Sequence, residues 1–194
     1  MPKSLRTVAV LLAALFATQS FAAEKGEIGK KAPNFTLPDQ NGRPVNLSNY
    51  HGKIVVLEWI NPDCPFVQRH YESKTMTTLA TRYADKGVVW LAINTNGDPR
   101  KNSAFASHHA LPYPILQDSG EVAKAYGAKT TPHMFIIDRN GKLAYAGGID
   151  NDPNGDKGPD RINYVQKALD DLLSGTPVST PETKSYGCGV KYAK

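Results

Sequence analysis

The chain has 194 residues, 40% of them hydrophobic and 21% charged, with 16 Gly, 14 Pro, two Cys and a formal net charge of +5. This composition excludes disordered and collagen-like chains, and two cysteines are too few for a miniprotein built on disulfides. The length fits one domain that buries roughly 70% of its unfolded surface without covalent staples, so each cysteine needs its own explanation.

Lys3 and Arg6, the apolar stretch Val8 to Phe16 and the small residues around Ser20-Phe21-Ala22-Ala23 read as an export signal spanning residues 1–22, cut after Ala22 or Ala23. The apolar stretch is shorter than the roughly 18 residues a membrane span requires, so no stable membrane association is expected. Loss of Lys3 and Arg6 lowers the charge from +5 to +3. The remaining basic residues are scattered and not interleaved with aromatics, which argues against nucleic acid. An exported protein, in a bacterial periplasm, meets an oxidising compartment in which a thiol pair can cycle.

Residues 23–175 read as the domain and 176–194 as a tail. Ala32 to Pro38 and Pro44 to Leu47, joined by Asp39-Gln40-Asn41-Gly42, predict an entry hairpin. Ile54 to Ile60 is a run of apolar, largely β-branched residues, as in a strand covered on both faces, with Glu58 inside it. After Cys64 the period changes: Val67, Tyr71, Leu79 and Tyr83 lie at multiples of four and predict one helical face ending near Gly87. Val88 to Asn94 predicts a second buried strand, giving a right-handed βαβ unit. Helices follow over 101–109 and 120–126, and then a hairpin of Met134 to Ile137 with Leu143 to Ala146. The stretch from Ile149 to Asp160 reads as a solvated loop. A last helix is expected over 161–173. The Pro, Ser and Thr content from Thr176 predicts an extended tail ending in Tyr186-Gly187-Cys188-Gly189.

Cys64 stands where a strand gives way to a helix, so unpaired N–H groups and the positive end of the helix dipole face its sulfur. Such a corner lowers a thiol pKa from about 8.5 and favours the thiolate that attacks disulfides and peroxides. Pro65 suits the first helical turn. Asp63 opposes the effect unless its carboxylate turns away to cap the helix. Glu58, inside the apolar run, is expected to have a raised pKa and to move a proton if its strand is buried, or to reach solvent if it is not. Arg69 lies about 500° around the helix from Cys64, on a different face. The five histidines show no zinc spacing, and Asp150 to Asp156 imitates only half of an EF-hand loop, with Arg161 where a Glu would be needed. No metal is implied.

Four spaced elements together resemble the thioredoxin superfamily in its redoxin, AhpC/TSA or peroxiredoxin-like branch, over residues 28–194. They are Ala32-Pro33-Asn34-Phe35-Thr36-Leu37-Pro38 with the hairpin after it, Cys64-Pro65-Phe66-Val67, Thr130-Thr131-Pro132 before Phe135-Ile136-Ile137-Asp138, and the closing Tyr186-Gly187-Cys188-Gly189. The resemblance implies an α/β fold of thioredoxin type: a three-layer sandwich with a central mixed sheet, helices on both faces and an N-terminal hairpin. It implies a cis Pro132 facing Cys64. It likens Glu58 to the buried acid that precedes the first cysteine of thioredoxins. Pro65, Phe66, Thr131 and Pro132 become the substrate-binding surface, with the backbone at Thr131 and Pro132 able to dock an extended substrate by strand addition.

Two positions depart from the family pattern. Val67 replaces the second Cys of Cys-x-x-Cys, and Leu57 and Asn61 stand where peroxiredoxins carry Pro and Thr. Cys188 is the candidate resolving cysteine, either cycling with Cys64 or bridged to it permanently. The leading expectation is a thiol-dependent oxidoreductase of peroxiredoxin-like type, with Cys64, Cys188 and Glu58 as catalytic residues. Its substrates would be peroxides or protein disulfides, its reductant an external dithiol protein, and it would need no cofactor. A thiol-disulfide reductase or isomerase for exported proteins, and a non-catalytic binding module with a structural disulfide, are the alternatives.

Overall fold

The computed structural model describes residues 26–192. The expected signal segment lies outside the described residues.

A five-stranded mixed sheet forms the middle layer, in the order β5-β4-β3-β7-β8. Strand β3 (Ile54–Ile60) pairs in parallel with β4 (Val88–Thr95), which pairs in parallel with β5 (Ile115–Asp118). On its other side β3 runs antiparallel to β7 (His133–Ile137), and β7 to β8 (Leu143–Gly147). All seven residues of β3 are buried, because both faces of the sheet are covered. Ile54, Val56 and Ile60 pack on one face against α1 (Pro65–Glu72), α2 (Thr75–Ala84), α3 (Pro99–His108) and α5 (Tyr164–Leu173). Val55, Leu57 and Trp59 pack on the other against α4 (Glu121–Tyr126) and the entry hairpin of β1 (Thr36–Pro38) and β2 (Pro44–Asn46). The expected three-layer α/β sandwich with its N-terminal hairpin is therefore present.

Three details differ from the sequence reading. The single helix expected after Cys64 is two, because Lys74 adopts a left-handed backbone (φ 56°) and Ser73 turns its hydroxyl back to the His70 carbonyl. The period of four carries across this break, which hides it from a pattern search. Strand β5 was not expected: four residues between Pro114 and Gly120 are too short to show a period, and tertiary pairing with β4 makes the strand. Asp39 of the hairpin turn bridges to Leu116 and covers part of that edge. The last helix begins at Tyr164, after a 3₁₀ turn over Gly158–Asp160, rather than at Arg161.

The tail is a clamped strap. Ala146 N–H donates to the Pro181 carbonyl and Thr183 N–H to the Ala146 carbonyl, laying the tail along β8. Further on, β9 (Cys188–Gly189) pairs antiparallel with β6 (Thr130–Thr131), placing Cys188 opposite Thr131. Val190 N–H bonds the Lys129 carbonyl, Asn96 holds the Lys191 carbonyl, and the Tyr192 hydroxyl donates to the Ala128 carbonyl. About 10 Å³ of open space remains between Val190, Lys191 and the ends of β3 and β4.

Candidate active site

Cys64 is the N-cap residue of α1, with extended backbone (φ −85°, ψ 121°) and Pro65 in the first turn. Its carbonyl accepts from Gln68 N–H, while its sulfur faces the start of the helix, where N–H groups have no intrahelical partner. Antiparallel pairing of Trp59 with His133 brings the preceding Pro132 level with the end of β3, next to the Cys64 corner. The Thr131–Pro132 peptide is cis.

Cys64 Sγ lies 3.0 Å from the Thr131 carbonyl oxygen and 2.8 Å from Cys188 Sγ, across 124 residues of sequence. Both cysteines are free thiols here. Burial by itself would raise the Cys64 pKa, but contacts with Cys188, the Thr131 side chain and the Val67 N–H outweigh it, so the net shift is downward. The Cys188 thiol is pushed up, first by burial and then by the Cys64 thiol that it faces. Of the two sulfurs, Cys64 is the more readily ionised. It is also the one sealed in, at 1% exposed, whereas Cys188 is half-buried.

Asp63 turns away from the sulfur, but to pair with Lys101 Nζ at 2.7 Å rather than to cap the helix. Glu58 is fully buried, with Oε2 accepting from Trp90 Nε1 at 2.7 Å and Oε1 without a hydrogen-bond partner. Burial lifts its pKa to about 7, against the smaller opposing effects of Trp90, Tyr71 and Tyr113. Its strand alternation with Val56 and Ile60 puts it in the same core layer as Cys64. Phe66 is half-buried against Tyr186, Pro65 is exposed, and Thr131 and Pro132 are buried beneath β9.

Arg69, on a different helix face from Cys64, is half-buried. Its guanidinium donates to the carbonyls of Pro153 (2.7 Å) and Asp152 (3.0 Å), tying α1 to the loop after β8. That loop is not simply solvated: Asp150 and Asp152 are buried, and Asp152 accepts from the N–H groups of Gly155, Asp156 and Lys157. His70, one of the five histidines without zinc spacing, is buried and bonded to Tyr186. The sequence reading missed Tyr186, Asp150 and His70 as one group, since their spacing follows no motif. Among the described residues no group of three His, Cys, Asp or Glu side chains could hold a metal ion, and none of the helices is long and apolar enough to cross a membrane.

The chain is similar to thiol-disulfide oxidoreductase ResA of Geobacillus thermodenitrificans, 39% identical over 147 residues, which are 72% of this chain and 83% of the relative. It is 34% identical over 121 residues to ResA of Bacillus thuringiensis subsp. konkukian, covering 62% of this chain and 69% of that protein. Among solved structures, an uncharacterized conserved protein from Geobacillus kaustophilus superposes with a TM-score of 0.79 at 34% identity, over 86% of this chain and 93% of that one. A Chlorobium tepidum structure provisionally assigned as the thiol:disulfide interchange protein DsbE superposes with a TM-score of 0.57 at 28% identity, over 63% of this chain and 85% of that one. These neighbours make the fold thioredoxin-like. With the AhpC/TSA family model matching residues 28–146, the chain belongs to the AhpC/TSA family.

Proposed function

We propose that this protein is a thiol-disulfide oxidoreductase whose redox pair is Cys64 and Cys188, acting on disulfides of exported proteins in the periplasm and exchanging electrons with an external dithiol protein. The observation that carries the reading is the 2.8 Å separation of the two sulfurs beneath Thr131. Relatives named as thiol-disulfide oxidoreductases support the disulfide over the peroxide as substrate. So does the site: the Arg69 guanidinium is engaged with the 152–153 backbone and is not turned to an anion at Cys64.

In the reducing direction, the Cys64 thiolate attacks one sulfur of a substrate disulfide, forming a mixed disulfide and expelling the other substrate sulfur as thiolate. Cys188 gives up its proton and attacks Cys64 Sγ, which releases the second substrate thiolate. Two electrons pass to the substrate, and the pair becomes a disulfide. Because β9 occupies the place beside Thr131 where an extended substrate would add, the strap withdraws before the first attack. In the return step one thiolate of the external dithiol attacks the more accessible Cys188 sulfur and Cys64 leaves, since the lower-pKa thiol is the better leaving group; the second thiol of that dithiol then attacks its own partner sulfur, freeing Cys188 and carrying the disulfide away. Glu58, with a pKa of about 7, takes up the proton as Cys64 ionises and gives it back when Cys64 is released as a thiolate.

The test is reduction of insulin disulfides, and consumption of hydrogen peroxide, by wild type, Cys64→Ser and Cys188→Ser. Disulfide reduction lost in Cys64→Ser, with little peroxide consumed by wild type, supports the reading. Peroxide consumption that dominates, or disulfide reduction unchanged in Cys64→Ser, overturns it.

A further inference from the structure

Tyr186 precedes Cys188 by two residues. Its hydroxyl donates to Asp150 Oδ1 at 2.5 Å and lies 2.9 Å from His70 Nε2. Since the hydroxyl proton is used on the carboxylate, the imidazole supplies the proton of the second contact, and a neutral His70 then carries its proton on Nε2. Burial holds the His70 pKa down to about 4, in keeping with that neutral form. The Tyr186 ring leans on Phe66, two residues from Cys64, with centroids 6.1 Å apart. One tail side chain is thus gripped by the helix that carries Cys64 and by the loop that follows β8.

The grip matters to the carboxylate as well. Asp150 is 1% exposed, its Oδ2 has no hydrogen-bond partner, and the Arg161 Nε stands 4.0 Å away. Its Oδ1 accepts from the Asp152 N–H and from Tyr186, so the tyrosine supplies one of the few hydrogen bonds this buried charge receives. On the far side of Cys188 the strap is held by a two-residue strand pairing and by Val190, Asn96 and Tyr192, whereas on its near side Tyr186 is the half-buried side chain that ties it to the helix carrying Cys64.

We infer that Tyr186 is the positioning residue of the redox pair: clasped by Asp150 and His70, it holds Cys188 against Cys64 and so sets how readily their disulfide forms. This rests on the thiol-disulfide reading above. Oxidation of the pair by glutathione disulfide joins Cys64 Sγ to Cys188 Sγ, breaks the glutathione S–S bond, and passes two electrons and two protons to give two glutathione thiols. A strap ordered before oxidation makes that step more favourable, by raising the effective concentration of one thiol at the other.

The experiment equilibrates full-length wild type, Tyr186→Phe and Asp150→Asn in glutathione redox buffers, and reads the oxidised fraction by alkylation and mass spectrometry. Hydrogen exchange over residues 187–190 is followed in the reduced proteins. Tyr186→Phe keeps the ring and loses the hydroxyl, so the effective concentration should fall about tenfold, a rise in midpoint potential of about 30 mV. Exchange in the strap should quicken. Asp150→Asn keeps an acceptor oxygen and should shift the midpoint the same way by less. Midpoints and exchange that coincide with wild type, or a midpoint that falls, overturn the proposal. If wild type forms no Cys64–Cys188 disulfide in any buffer, the redox-pair reading fails and the positioning role fails with it. If wild type titrates normally and the variants match it, only the positioning role is lost.

Discussion

A β-carbon on Gly187 would overlap the carbonyl oxygen of Thr131, so the residue before Cys188 has no room for a side chain where the strap meets the buried Thr-Pro turn. Gly187 also has φ +127°, a backbone state open to glycine and strained for other residues. Gly187→Ala should therefore push β9 off β6 without disturbing the central sheet. Thermal denaturation should show a loss of about 1–3 kcal/mol, the usual cost of one strained backbone position. Disulfide formation between Cys64 and Cys188 should slow in the same variant, and a rate equal to wild type would mean the strap tolerates the change.

Glu58 makes a prediction in pH. Its folded pKa of about 7 lies above the ordinary 4.5, so the folded protein retains a proton that the unfolded chain releases. The stability tied to that proton is complete below pH 4.5, declines as pH rises, and is gone above about 7. The span corresponds to about 3 kcal/mol. Urea denaturation from pH 4.5 to 8 should show this decline in wild type, and Glu58→Gln should flatten it over that window. The exchange rate of Glu58→Gln should also lose the step near pH 7.

The unequal exposure and ionisation of the two sulfurs predict where an external thiol attacks. Brief reaction of the oxidised protein with glutathione, followed by acid quench and peptide mapping, should find the glutathione on Cys188 and the freed thiol on Cys64. The preference should be about tenfold, following the better leaving group. An adduct chiefly on Cys64 would reverse the proposed order of attack.

Lys74 holds a left-handed conformation between α1 and α2. Left-handed backbone costs a residue with a β-carbon about 1 kcal/mol relative to glycine. Lys74→Gly should raise the thermal midpoint with redox activity unchanged, and a lower midpoint would show that Lys74 stabilises the break by other contacts.

The strand-to-helix corner at Cys64 was legible because a buried strand and an amphipathic helix have different periods, and the change falls at one residue. The hairpin of β7 and β8 was legible for a similarly local reason, two short apolar runs close together in the chain. Strand β5 was not, since four residues carry too little period and the strand exists by pairing with β4. Asp150 and Asp152 read as solvated because short acidic loops usually are. They are buried because backbone N–H groups and Tyr186 close around them, and no local pattern encodes that.

Sequence by itself determined that the chain has two cysteines 124 residues apart, and that one of them sits at the start of a helix. Only the tertiary structure decided that the tail is a paired strand, that it seals Cys64, and that Tyr186 anchors it through Asp150 and His70. The physical reason is range. Helix starts and buried strands arise from hydrogen bonding and apolar repeats within a few residues, whereas the meeting of the sulfurs depends on pairings across most of the chain.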